Sequence, residues 1–171
     1  MYSFEPASNE TAMDFKTADL CDQFSTDLQI AAPIFRHFGG KQRFAGPAAT
    51  IKCFEDNSRV KEAVGEPGNG RVLVVDGGGS MRCALLGDLL AKQATDNGWA
   101  GVVVNGCIRD SADMKEFSLG VVALASFPLR SEKKGEGQRD VIVQLPGARV
   151  RPGDWIYADV DGLVVAPRKL T

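Results

Sequence analysis

Two short clusters in this chain carry residue types that can do chemistry together. The first is Gly87-Asp88-Leu89-Leu90; the second, Arg109-Asp110, follows after twenty intervening residues counted from Asp88. An aspartate offers hard oxygen donors to a divalent cation such as Mg2+ or Mn2+, and Mg2+ keeps most of its waters, so a single direct carboxylate is enough. The planar fork of an arginine fits a carboxylate or an enolate oxygen. Backbone N–H groups at the start of a helix suit a carboxylate as well. Asp88 could orient a water from just outside the metal's ligands. Asp110 as metal ligand, Arg109 and Asp88 as catalytic groups, and Gly87, Asp88, Leu89, Leu90 and Arg109 as the substrate-binding set would hold a small 2-keto acid against a metal.

Each residue also has a plainer role. Asp110 precedes Ser111 and Asp113 and reads equally well as the cap of a helix starting there. Asp88 reads as the N-cap of the helix that follows it. Arg109 could be a surface arginine paired with a nearby acid, which stabilises little. Its place just beyond a buried strand favours function, because ligands of α/β sheets gather at the carboxyl ends of strands.

The two clusters meet only if a helix opens at one and a strand stops at the other, and the intervening sequence fits. Arg82 to Leu86 reads as a short extended piece; a helix from Met81 would enclose Gly87 at a cost of ~1 kcal/mol. The helix opening at Asp88 closes at Asn97-Gly98, a good C-terminal signal. Gly101 to Asn105 is an unbroken apolar strand, followed by Arg109-Asp110 and a helical turn to Phe117. Gly120 to Ala125 is a further apolar strand.

Upstream, Thr17 to Ser25 shows amphipathic helical spacing, and Ala48 to Phe54 reads as a strand. Asp56-Asn57-Ser58 supplies capping groups for a helix to Val64. Arg71 to Val75 is a strand buried on both faces. The Gly77-Gly78-Gly79 triplet after it matches neither dinucleotide nor P-loop spacing; close backbone approach or a strained turn explains it equally well. Near the end, Asp140 to Leu145 alternates, Pro152-Gly153 turns, and Trp155 to Asp159 is a strand. Asp161-Gly162 signals a hairpin before Leu163 to Val165. Middle βαβ units flanked by antiparallel strands define a single α/β domain with a mixed sheet over residues 16–171, preceded by a loose arm over 1–15.

Composition excludes several classes. The 171 residues suit one domain with a sizeable core. A net charge of −2 lacks the basic excess of a nucleic-acid-binding surface, and Lys133-Lys134 reads as part of a solvated loop. Cys21, Cys53, Cys83 and Cys107 form no C-x-x-C and read as buried apolar thiols rather than zinc ligands or nucleophiles. The single histidine, His37, excludes two-histidine metal sites and reads as structural. No leader-like start and no apolar run of spanning length appears, so the expectation is a cytoplasmic protein with no membrane and no direct nucleic-acid partner.

At these motifs the chain resembles the RraA-like family, which includes regulators of ribonuclease E activity and 4-hydroxy-4-methyl-2-oxoglutarate aldolases. The resemblance runs from Asp19 to Val165. It is carried by Asp19-Leu20-Cys21-Asp22, Phe38-Gly39-Gly40, Ile51 to Asn57, Gly70 to Gly79, Asn97-Gly98-Trp99, Gly106 to Asp110, Tyr157-Ala158-Asp159 and Asp161-Gly162. It implies a three-layer β/β/α swivelling-type fold, a homotrimer with sites at subunit boundaries, and divalent-metal-dependent pyruvate chemistry. By the same resemblance Asp110 is the metal ligand, Arg109 acts on the substrate, and Gly87 to Leu90 is the substrate-binding segment. The expected activity is cleavage of 4-hydroxy-4-methyl-2-oxoglutarate to pyruvate, with oxaloacetate decarboxylation through the same pyruvate enolate. The alternative is a non-catalytic regulator that binds and inhibits ribonuclease E.

Overall fold

The computed structural model describes residues 14–171. Most of the expected arm, residues 1–13, lies outside the described residues. Its last residue, Phe15, is buried with its ring edge-on to Tyr157, 5.1 Å between centroids, so the docked chain already includes it.

In chain order the elements are α1 (Thr17–Phe24), β1 (Gln29–Ile30), β2 (Arg36–His37), β3 (Phe44–Lys52), α2 (Ser58–Val64), β4 (Val72–Asp76), β5 (Ala84–Leu86), α3 (Asp88–Asp96) and β6 (Gly101–Ile108). They continue with α4 (Ser111–Met114), β7 (Gly120–Ser126), β8 (Gln138–Arg139), β9 (Val143–Leu145), β10 (Ala148–Val150), β11 (Trp155–Asp159) and β12 (Gly162–Ala166). The main strand order is β1-β12-β11-β3-β4-β6-β7-β2, with β5 added beside β6, β8 beside β3, and β9-β10 a separate hairpin.

Strands β3, β4, β6 and β7 run parallel, and their side chains alternate between two cores. Leu73, Val75, Val102, Val104, Val121 and Ala123 point to a core shared with Val60, Ala63, Ala91 and Ala94 of helices α2 and α3. Val72, Val74, Val103 and Val122 point the other way, onto Leu145, Val150, Ile156 and Leu163 of the antiparallel strands. A strand covered on both faces needs apolar residues at every position, which is why these segments read as unbroken runs. Each fully buried valine contributes about 1.5–3 kcal/mol of transfer free energy. The result is the expected three-layer β/β/α arrangement.

The sheet is curled. Strand β3 changes partner midway: Phe44 to Pro47 pair antiparallel with β11, and Ala48 to Lys52 pair parallel with β4. Strand β3 therefore starts at Phe44, not at Ala48 as the sequence suggested. Both ends of the strand order, β1 and β2, belong to one segment, so a single strap over residues 29–37 covers the two edges. His37 in that strap has its Nε2 2.6 Å from the Asp159 carbonyl oxygen, a structural tie.

Three local expectations change. The β11–β12 turn is Val160-Asp161, because Asp159 pairs with Gly162; the Asp159 carboxylate shapes it by accepting the Asp161 N–H at 3.0 Å. The alternating stretch ending at Leu145 forms only the three-residue β9, turning at Pro146-Gly147 into β10. Helix α4 ends at Met114, short of Phe117.

Candidate active site

Strands β5 and β6 are parallel neighbours, with Ala84 opposite Cys107 and Leu86 opposite Ile108. Their carboxyl ends therefore open side by side, one onto Gly87-Asp88 and the other onto Arg109-Asp110. The Arg109 N–H donates to the Leu86 carbonyl at 2.9 Å and locks the two exits together. Twenty residues of helix and strand between the clusters thus close into one place.

The Asp110 carboxylate reaches across to α3. Its Oδ2 accepts the Asp88 N–H at 3.0 Å, while Arg109 Nε stands 4.0 Å from the same oxygen. Among the described residues Oδ1 accepts no hydrogen bond. The side chain is about one-third exposed (34%), so that oxygen can reach a ligand. The Asp110 backbone is left-handed, with φ 56° and ψ 41°. That conformation costs an L-residue on the order of 1–2 kcal/mol and is concentrated at functional sites.

Neither plain capping role holds in the form the sequence suggested. Asp110 makes no side-chain cap on its own helix α4; only its carbonyl oxygen accepts from Asp113 and Met114. Asp88 is not the N-cap of α3 but its first helical residue. Gly87 occupies the N-cap position without a side chain, and the carboxylate serving that end comes from Asp110. Asp88 Oδ1 accepts the Leu89 N–H at 2.8 Å. The N–H groups of Asp88 and Leu89 are therefore already occupied, and a substrate carboxylate seated there would have to displace the Asp88 oxygen. Leu89 is exposed (78%), whereas Leu90 packs partly against the helix-side core.

The α3 helix is held as a rigid lever. Ala91 and Ala94 lie flat on the sheet and are fully buried. At its far end Asn97 Nδ2 donates to the Val64 carbonyl at 2.7 Å, tying α3 to the end of α2. Small residues on the packed face let the helix come close, so its N-terminus is fixed relative to β6.

Nearby groups are chemically quiet. Cys107 is buried against Met81, Sγ to Sδ 3.5 Å, and burial pushes its thiol up, away from nucleophilic use. Burial, and then the Asp56, Asp76 and Cys83 charges, push the Cys53 thiol up to about 12. In the glycine triplet, the Gly77 and Gly79 N–H groups donate to the Asn105 carbonyl at 3.1 Å each, and Gly78 donates to Asp76 Oδ1 at 3.0 Å. With its donors turned inward, that loop cannot cradle a phosphate.

A groove of about 470 Å3 opens near Phe54, Arg82, Arg130 and Ser131, beside the amino end of β5. Two of its acids, Glu55 and Asp56, are already engaged. Glu55 pairs with Arg82, and Asp56 accepts the N–H and hydroxyl of Ser58 and the N–H groups of Lys134 and Glu136. Asp56 is a residue whose importance the sequence placed only in helix capping. Among the described residues no three His, Cys, Asp or Glu side chains are gathered to hold a metal ion. No described helix is long and apolar enough to cross a membrane.

Fold and site together define a three-layer α/β protein with an acid–guanidinium pair where two parallel strands end. The chain belongs to the RraA-like family: the family's sequence profile, Aldolase/RraA, matches residues 17–165. A relative from Alkalilimnicola ehrlichii, named "Putative 4-hydroxy-4-methyl-2-oxoglutarate aldolase", is 60% identical over 92% of this chain and 98% of its own. A crystal structure named as an S-adenosylmethionine:2-dimethylmenaquinone methyltransferase from Geobacillus kaustophilus HTA426 superposes with TM-score 0.89. It is 51% identical and covers 91% of this chain and 97% of that one. The RNA-processing inhibitor RraA from Thermus thermophilis has the same TM-score, 0.89, at 44% identity, covering 93% and 96%. One fold thus carries three kinds of name, so function has to be argued from the site.

Proposed function

We propose that this protein is a divalent-metal-dependent aldolase that cleaves 4-hydroxy-4-methyl-2-oxoglutarate to pyruvate and decarboxylates oxaloacetate through the same pyruvate enolate. The observation that carries the reading is the Asp110 carboxylate, anchored through one oxygen on the Asp88 N–H, with its other oxygen unengaged and Arg109 beside it.

The residues fit a hard cation held by few protein ligands. One free oxygen of Asp110 matches Mg2+ or Mn2+ completed by water, and would not suit a metal that needs thiolates or imidazoles. Such an ion, when bound, acts as a Lewis acid toward the 2-keto oxygen.

The chain's own residues would divide the remaining work. Arg109, with 40% of its side chain exposed, hydrogen-bonds the substrate carboxylate and stabilises charge that develops on the enolate oxygen. The 4-hydroxyl proton leaves through a water toward the Asp88 carboxylate. The C3–C4 bond then breaks, its electron pair stays on C3 as the pyruvate enolate, and C4 becomes the keto carbon of a second pyruvate. Protonation at C3 completes the cycle. With oxaloacetate the same enolate forms by loss of carbon dioxide. The site sits at the surface, with Leu89 exposed beside it; a homotrimer whose subunit boundaries wall the site belongs to the same proposal.

The likeness to the Thermus RNA-processing inhibitor favours a second reading, a regulator that binds ribonuclease E. An inhibitor has no need of Asp88, Arg109 and Asp110 in one place, which ranks the enzyme first. The deciding experiment is pyruvate release from both substrates with Mg2+ and with EDTA. Metal-dependent release supports the aldolase. No release from either substrate with metal present defeats it and leaves the regulator.

A further inference from the structure

We propose that Gly87 is a positioning residue: its missing side chain seats the Asp110 carboxylate on α3 and so fixes which oxygen is left for a ligand. The proposal rests on the aldolase reading for its catalytic meaning, but its geometry stands alone.

The backbone does not require glycine here. Gly87 has φ −123° and ψ −173°, extended values open to any L-residue. The position is a helix N-cap, where Ser, Thr, Asp and Asn are the favoured residues. What excludes them is space. A Cβ on Gly87 would lie 2.9 Å from Asp110 Oδ2 and 3.4 and 3.5 Å from Arg109 Nε and Cγ. Any side chain would therefore push the Asp110 carboxylate off its seat, while Arg109 would remain at ordinary contact distance. The glycine at the opposite end of α3 makes the contrast clear. Gly98 has φ +80°, and a Cβ there would meet nothing within 4 Å, so its reason is conformation and not contact.

A serine or aspartate at position 87 would also cap α3 with its own oxygen. That oxygen would serve the Leu89 or Leu90 N–H rather than the Asp88 N–H; the added Cβ would still force Asp110 Oδ2 off the Asp88 N–H, and the left-handed Asp110 backbone would lose the anchor that offsets its strain. By leaving that space empty, Gly87 lets a carboxylate from just past the end of β6 reach the helix end. The carboxylate is thereby held by one oxygen, and the second is left without a donor.

The test uses the full chain and four variants: G87A, G87S, D110A and G87A/D110A. Four properties are read: Mn2+ affinity by electron paramagnetic resonance, protection of the Asp88 amide from hydrogen exchange by 1H–15N NMR, melting temperature, and kcat and KM for pyruvate release. G87A and G87S are expected to weaken Mn2+ binding about tenfold or more, as loss of a ligand-orienting contact does. They should also lower the protection of the Asp88 amide from solvent exchange and lower kcat more than they raise KM. In the D110A background, G87A should leave the protection of the Asp88 amide unchanged and lower the melting temperature less than it does in the wild-type background, because the colliding carboxylate is gone. G87A with wild-type Mn2+ affinity and an Asp88 amide as protected as in the wild type overturns the proposal. If G87A does not fold, recovery of folding in G87A/D110A supports it and failure to recover overturns it. A wild-type chain that neither binds Mn2+ nor releases pyruvate defeats the aldolase reading instead, while the amide and double-variant comparisons still decide the seating of Asp110.

Discussion

Two helices in this protein have their amino ends served by a carboxylate from a distant part of the chain, and the two carboxylates are left in opposite states. At α1, Asp159 accepts the Thr17 N–H at 2.7 Å and the Thr17 hydroxyl at 2.6 Å, as well as the Asp161 N–H. It is buried, and both oxygens are engaged. At α3, Asp110 accepts the Asp88 N–H with one oxygen and keeps the other free, at a partly exposed position on a left-handed backbone. A saturated carboxylate has no lone pair left for a ligand and can only hold structure. A half-satisfied one has been given a fixed position and a remaining donor, which is what a metal ligand needs. Capping and chemistry are thus separated by how many donors the fold brings to the acid.

The comparison can be broken most sharply at Asp110. Replacement by alanine is expected to take metal-dependent pyruvate release to the EDTA background. Losing the cap should cost about 1 kcal/mol, or about 2–4 °C in Tm for a chain of this size. Near-normal turnover in Asp110→Ala would mean that the free oxygen is not a ligand. Next, Arg109→Ala should slow turnover on the order of 100-fold, the usual consequence of removing one preorganised donor. Arg109→Lys should recover little of this loss, because an ammonium lacks the planar fork.

Asp159→Ala should show the reverse pattern. It strands the Thr17 N–H and the Asp161 N–H, at about 1–3 kcal/mol per buried unpaired group. Thermal unfolding should reveal a clear drop in Tm, while turnover per folded molecule at 25 °C stays near wild type. A loss of activity without a loss of stability would erase the distinction between the two acids.

The smallest effect is in pH. Burial alone would push the Asp56 carboxyl up, but hydrogen bonds from the Ser58 hydroxyl and N–H and the Glu136 and Lys134 N–H groups outweigh it and hold the pKa at about 2. Asp159 is likewise held below its ordinary value, burial being outweighed by the Thr17, Asp161 and Gly162 donors. Since the unfolded chain binds those protons more readily, both acids contribute stability that is present above the ordinary carboxylate pKa and lost as pH falls below it, for Asp56 toward about 2. Urea midpoints measured between pH 6 and pH 3 should fall, and Asp56→Asn should flatten the lower part of that curve.

Much of this was legible in the sequence, for identifiable reasons. The valine runs read at Arg71 to Val75 and Gly101 to Asn105 marked the doubly covered strands, the second of which runs on to Ile108, and Asn97-Gly98 marked the end of α3. The strap at residues 29–37 was not legible, because two-residue strands carry no periodicity and exist only through their partners. The early start of β3 was hidden as well: Phe44 to Pro47 read as strand only once β11 lies beside them. At the site, the sequence named Asp88, Arg109 and Asp110 but misassigned the caps. A capping rule counts residues along one helix, and here the capping oxygen of α3 lies 22 residues away, just past the end of β6.

The sequence by itself determined the residue types and the spacing: one guanidinium and two carboxylates, separated by a length of chain that makes one helix and one buried strand. Only the tertiary structure decided which N–H each carboxylate satisfies and which oxygen stays open. Hydrogen-bond partners across strands depend on register and on close approach at Gly87, and neither is a property of local sequence.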